Sequence, residues 1–157
     1  MELQAAGERL GPAGAIFFQM DEQDVQRILA HERSMIGSDG LPHDSFPHPR
    51  LWGTFPRVLG HYARDLGLFS LEAAVHKMTG RPAEVFGLTD RGVIRKDARA
   101  DLVLFDPATV RDAATFADPV QPADGILEVW VNGQSAYVHG RGATSARAGQ
   151  LLTRSRV

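Results

Sequence analysis

The spacing of apolar positions changes several times along the chain, and each change marks an element. Ala15-Ile16-Phe17-Phe18 is a continuous apolar run of strand length, which reads as a short buried strand. Behind Asp21, Val25, Ile28 and Leu29 fall at helical spacing. Asp21–His31 is therefore expected to be an amphipathic helix, with Asp21 as its cap and Glu22 and Asp24 at the end where the helix dipole favours negative charge. Ser34–Ser38 is expected to be a second strand. Strand, helix and strand in so short a stretch form the pattern of a βαβ unit, with parallel strands and a right-handed crossover. This puts the chain in the α/β class.

From Leu41 to Gly53, prolines and two histidines interrupt every period, so a long shaped loop is expected directly after the second strand. Loops in that position hold active sites in α/β folds. Helical spacing returns with Val58, Leu59 and Tyr62, and again with Leu71, Ala74, Val75 and Met78, where Ser70 is the expected cap and Gly80 the expected stop. Pro82 opens a short final helix ending at Gly87. After Leu88 the pattern turns to short strands, Val93-Ile94, Leu102–Phe105 and Ile126–Val131, separated by turns containing Asp, Gly and Pro. A domain boundary is expected near Leu88, and Thr144–Val157 reads as a polar tail.

Composition narrows the partners. Apolar residues make up 43% of the 157 and charged ones 23%, the balance of a soluble globular protein. A formal net charge of -2 supplies no general positive field for phosphates, so nucleic acid is not an expected partner. No apolar run approaches the roughly 20 residues needed to span a bilayer, and the N-terminus shows no basic-then-apolar leader. No membrane contact and a cytoplasmic location are the expectations. With no cysteine, any metal would be held by histidine and carboxylate.

Four segments, in order, carry a family resemblance: GPAGAIFFQMDE (11–22), MIGSDGLPHDSFPHPRLWGTFPRVLGHYAR (35–64), AVHKMTGRPAEVFGL (74–88), and ADLVLFDPATV (100–110) with VWVNG (129–133). Together they resemble the D-aminoacylases, zinc-dependent N-acyl-D-amino-acid deacylases of the amidohydrolase superfamily. The second segment is specific to that group, whereas ADLVLFD and VNG recur across amidohydrolases. The resemblance implies a (β/α)8 barrel with a small β-sandwich. Residues 1–88 would be the C-terminal portion of the barrel, including its last two strands, and residues 89–157 the C-terminal portion of the sandwich and a tail. Where the family has glycine before ADLV, this chain has Asp97, a residue that tolerates positive φ. The family's His-x-His metal pair occurs nowhere among the six histidines. Zinc would thus belong to the complete enzyme, with Asp39 at most one weak ligand here.

Asp39 is the first candidate for chemistry, standing between Gly37 and Gly40 at the end of the expected second strand, where barrel enzymes place catalytic groups. From spacing alone, Asp-Gly after an apolar run is more often an ordinary turn. The resemblance implies instead the aspartate beside the zinc that takes a proton from metal-bound water and delivers it to the leaving amine. Arg50, in the proline-rich loop, either grips the substrate carboxylate at two points or ties the loop down. His43 and His48 either position substrate or are structural; their spacing specifies no metal geometry. Met20, with Phe18, either lines an apolar pocket for the D-side chain or packs in the core. His76 reads as a core or supporting histidine.

The implied function is hydrolysis of N-acyl-D-amino acids to a carboxylate and a D-amino acid, by an enzyme of which this chain is one segment. The alternative is a non-catalytic module or split subunit that complements a separate N-terminal half. A cyclic-amide hydrolase is disfavoured by the segment after Ile36. A barrel cut before its last two strands exposes unpaired backbone edges. The isolated chain is therefore expected to self-associate, or to be only partly folded until the missing N-terminal barrel segment is supplied. Size-exclusion chromatography with light scattering tests this, and a sharp monomer peak with strongly protected amides over residues 15–39 would contradict it.

Overall fold

Capping residues set the helices of the first half of the chain, for which the computed structural model describes residues 18–42 and 46–153 of the whole. Helix α1 (Glu22–Ala30) starts where Asp21 accepts a hydrogen bond from the Gln23 amide at 2.8 Å, one of the donors a helix start leaves unsatisfied. Val25 and Leu29 turn one face of α1 toward the core. Helix α2 (Arg50–Arg57) contains Pro56 and continues directly as a wider π-type helix over Val58–Asp65. Proline has no N–H to give and crowds the carbonyl one turn back, which accounts for the loss of the ordinary ladder at this point. The Leu66 amide then donates to His61, five residues earlier, at 2.9 Å.

Helix α3 (Leu71–Met78) is capped by Ser70, whose hydroxyl accepts from the Ala73 amide at 3.2 Å. Gly80 does not stop the helical run, as its residue type suggested. Thr79 breaks it instead, with φ -130° and ψ -82°, and Gly80 is the first residue of α4 (Gly80–Phe86). The stop comes at Gly87, left-handed at φ 69°, the conformation that favours glycine.

Two expected strands are not formed. Over Ser34–Ser38 the chain is irregular; the Ile36 amide donates to the Lys77 carbonyl at 3.2 Å, the end of a helix and not a neighbouring strand. A strand persists only through a ladder, and no described strand lies alongside to supply one. The first strand of the expected βαβ unit, Ala15–Phe18, falls outside the described residues except for Phe18. Val93–Ile94 lies in bends beside Gly92, with φ 83°, and Ile94 is 91% exposed. Apolar type without a partner surface does not make a strand.

The strands that do form are β1 (Leu102–Phe105), β2 (Ile126–Val131), β3 (Gln134–Val138) and β4 (Gly142–Ala143), one antiparallel sheet in sequence order. Asn132 and Gly133, both at positive φ (48° and 78°), make the two-residue turn between β2 and β3, the backbone twist that suits a hairpin. Asp97 sits at φ 68°, so it occupies a left-handed turn as its type permits. Among the described residues, no helix is long and apolar enough to cross a membrane.

Helices and sheet meet at Val110, which is fully buried against Val58, Leu59, Tyr62, Ala63 and Ala74. Burying one valine side chain contributes about 1.5–3 kcal/mol. Gly60 permits the approach, since a Cβ there would collide with the Val110 carbonyl oxygen and stand 3.3 Å from the Arg111 Cα. Arg64 closes the joint by donating to the carbonyls of Val110 (2.7 Å) and Pro107 (3.3 Å). Gly60→Ala should therefore destabilise the fold by about 1–3 kcal/mol, read as a shift in the urea midpoint. Gly37→Ala, where a Cβ meets nothing within 4 Å, is the control. Equal midpoints for the two variants would contradict this packing.

Candidate functional site

A close approach between loop and helix creates the site. A Cβ on Gly40 would stand 2.7 Å from the Leu51 Cδ1 and 2.9 Å from its Cα, so only glycine lets the loop lie against the first turn of α2. Asp39, immediately before it, takes φ 48°, a conformation aspartate tolerates better than most residues. The Ser38 hydroxyl accepts from the Gly40 amide at 3.3 Å and narrows the turn. These constraints carry the Asp39 carboxylate to Arg50, with Oδ2 3.0 Å from a guanidinium terminal nitrogen.

This pair is exposed on the aspartate side, at 80%, and half-exposed on the arginine side, at 39%. Such pairs contribute roughly 0.2–1 kcal/mol. A two-point guanidinium–carboxylate contact is stronger than this single one. The Arg50 Nε is buried and has no acceptor among the described residues.

His48 stands behind Arg50, and its Nδ1 accepts the Arg50 backbone N–H at 3.0 Å. The acceptor role requires that Nδ1 be unprotonated. Burial pushes the His48 pKa below its ordinary 6.5, the Arg50 charge pushes the same way, and Asp39 opposes them. The ring meets Phe116 edge-on at 5.1 Å, and Phe116 meets Phe18 at 4.9 Å. Beneath lies a cavity of 460 Å³ bounded by Arg50, His48 and Phe116 at one end and by Glu22, Tyr62 and the Arg57–Asp112 pair at the other. Arg57 and Asp112 are 3.2 Å apart, and Gly53 makes room, since its Cβ would stand 3.0 Å from the Asp112 Cβ. Burial raises the Tyr62 phenol against the opposing Arg57 hydrogen bond, with Glu22 adding to the rise.

Of the residues singled out from sequence, Asp39, Arg50 and His48 come together. Met20 is 71% exposed and does not bound the cavity, while His43 lies outside the described residues. His76 lies against Gly80, where a Cβ would stand 2.8 Å from its Nδ1. Phe116, Asp112 and Arg57 were missed, because their partners lie far along the chain. A catalytic zinc takes three protein ligands, whereas the described residues hold no group of three His, Cys, Asp or Glu side chains suited to a metal. Asp39 alone does not make such a site. What the cluster offers is a solvent-reachable carboxylate able to take and give a proton, beside a cation able to hold an anion.

The sequence profile of the amidohydrolase family matches residues 2–137. D-aminoacylase of Alcaligenes xylosoxydans xylosoxydans is 62% identical over 146 residues, which cover 93% of this chain and 30% of that protein. A crystal structure of D-aminoacylase, described as defining a novel subset of amidohydrolases, is similar with a TM-score of 0.90 at 60% identity, over 96% of this chain and 31% of that one. N-acyl-D-glutamate deacylase from Bordetella bronchiseptica, complexed with zinc and a phosphonate mimic of the tetrahedral intermediate, gives a TM-score of 0.87 at 51% identity, over 96% and 31%. The chain thus spans about 30% of the length of the relatives it matches.

The depressed pKa of His48 has a consequence for stability. Below 6.5 the unfolded chain takes up a proton that folded His48 refuses, so stability present above 6.5 is lost as pH falls through the window beneath it. NMR titration of the His48 ring should give a value below 6.5, and His48→Gln should remove that part of the pH dependence. A ring that titrates at 6.5 or higher would contradict the site's electrostatics.

Proposed function

The chain belongs to the amidohydrolase family, and on that premise we propose that it is the C-terminal segment of a metal-dependent hydrolase. The reaction is cleavage of the amide bond of N-acyl-D-amino acids to a carboxylate and a free D-amino acid. Residues 1–88 are read as the C-terminal portion of a (β/α)8 barrel, and 89–157 as part of a β-sandwich and its tail. The observation that carries the reading is the Asp39–Arg50 pair at 3.0 Å, with Asp39 in a left-handed turn and Arg50 lining the cavity.

Hydrolysis adds water across the C–N bond. The oxygen joins the carbonyl carbon, and a proton must reach the nitrogen before it leaves as an amine. Asp39 is the group assigned to move that proton, being exposed and held by one weak pair only. Arg50 is assigned the α-carboxylate of the substrate. His48, kept neutral by burial and by Arg50, borders the substrate. The Bordetella bronchiseptica relative is complexed with zinc, and we extend zinc to the complete protein. The residues described here carry proton movement and carboxylate binding.

Asp39→Asn in the complete hydrolase tests the assignment. Asparagine tolerates the same left-handed turn but cannot accept the proton, so kcat should fall by roughly 10²–10⁴-fold with the thermal midpoint little changed. An unaltered kcat would reduce Asp39 to an ordinary turn residue.

A further inference from the structure

We propose that Lys77 is a positioning residue for the Asp39 loop, holding the segment that leads into it from both ends. Lys77 is on α3 and only 5% exposed, where a lysine is rarely found without a partner. Its Nζ donates to the carbonyl of His31 at 2.5 Å. His31 caps the C-terminus of α1, where unsatisfied carbonyls and the helix dipole both favour a cation. The Phe69 ring lies 5.8 Å from the same ammonium and adds a cation–π contact.

The backbone of Lys77 holds the other end, since its carbonyl accepts the Ile36 amide at 3.2 Å. One residue therefore fixes residue 31 through its side chain and residue 36 through its main chain. From Ile36 to Asp39 the chain can extend only about 10 Å. Beyond Asp39, Gly40 rests on Leu51. The carboxylate is thus suspended between two fixed points, and Lys77 supplies the one on its N-terminal side. Among the described residues no ladder does this job, since Ser34–Ser38 is irregular. A methionine of similar length would fill the volume but leave the His31 carbonyl with the Ser34 amide, at 3.1 Å, as its remaining donor.

The proposal rests on the reading of Asp39 as the proton carrier, and its test separates the two. In the 157-residue chain, Lys77→Met should speed hydrogen exchange at Ser34 and Ile36, whose amides bond the His31 and Lys77 carbonyls, by about tenfold or more, while amides of Val58–Ala63 remain protected. In the complete hydrolase the same change should lower kcat about ten- to a hundredfold, because a small misplacement of a reacting group is costly, with KM nearly unchanged. The kcat loss should vanish in the Asp39→Asn background. Unchanged exchange at Ser34 and Ile36, or an equal kcat loss in both backgrounds, overturns the proposal. Full kcat in Asp39→Asn alone would sink the functional reading, while the exchange result would still decide whether Lys77 holds the loop. Should Lys77→Met expose Val58–Ala63 as well, Lys77→Gln is the second variant. Faster exchange confined to Ser34 and Ile36 supports the proposal, and exchange there equal to that of the parent chain overturns it.

Discussion

Everything near the site depends on the contact of Val110 with the helix that carries Gly60. Val110 is fully buried against the Val58–Ala63 face, its carbonyl passes the one position on that face without a Cβ, and Arg64 bonds that carbonyl. Residues 111–116 follow directly and are thereby laid along the flank of α2. That placement brings Asp112 to Arg57 and Phe116 to His48. The far wall of the cavity is thus supplied by the connection between β1 and β2, over forty residues beyond the loop that bears Asp39. A side chain larger than glycine at residue 60 would separate the two walls.

The site itself is held by shape more than by charge. An exposed ion pair such as Asp39–Arg50 contributes little to stability, and left-handed backbone at a residue other than glycine carries a cost. The turn persists because Gly40 is pressed to Leu51 and because Lys77 secures the approach. A weakly paired carboxylate on a firmly held turn suits a group that must change protonation without moving.

Local signals were legible in the sequence and long-range ones were not. Asp21, Ser70 and Gly87 mark their helix ends by residue type alone, and the structure uses all of them. Asn132-Gly133 carries an equally strong hairpin signal, and in the structure it is the turn that brings β3, a strand absent from the sequence expectations, back along β2. Ser34–Ser38 and Val93–Ile94 misled in the opposite way, being apolar runs without a partner to pair with. For the site, Asp39 and Arg50 were found from residue type, turn context and resemblance. Phe116, Asp112 and Lys77 depend on separations of 46 to 68 residues from their partners His31, Arg57 and His48, and no local pattern encodes those. Family membership follows from the match over residues 2–137, and the chemistry proposed for Asp39 rests on its turn and its pairing with Arg50.

The most direct test of that chemistry is a crystal structure of the complete hydrolase bound to a phosphonate mimic of the tetrahedral intermediate. The account predicts an Asp39 carboxylate oxygen within hydrogen-bond distance of the phosphonate, about 2.5–3.2 Å, with the Arg50 guanidinium turned from Asp39 to the ligand's carboxylate. An Asp39 that still faces only Arg50 and solvent, with the phosphonate bound elsewhere, would contradict it.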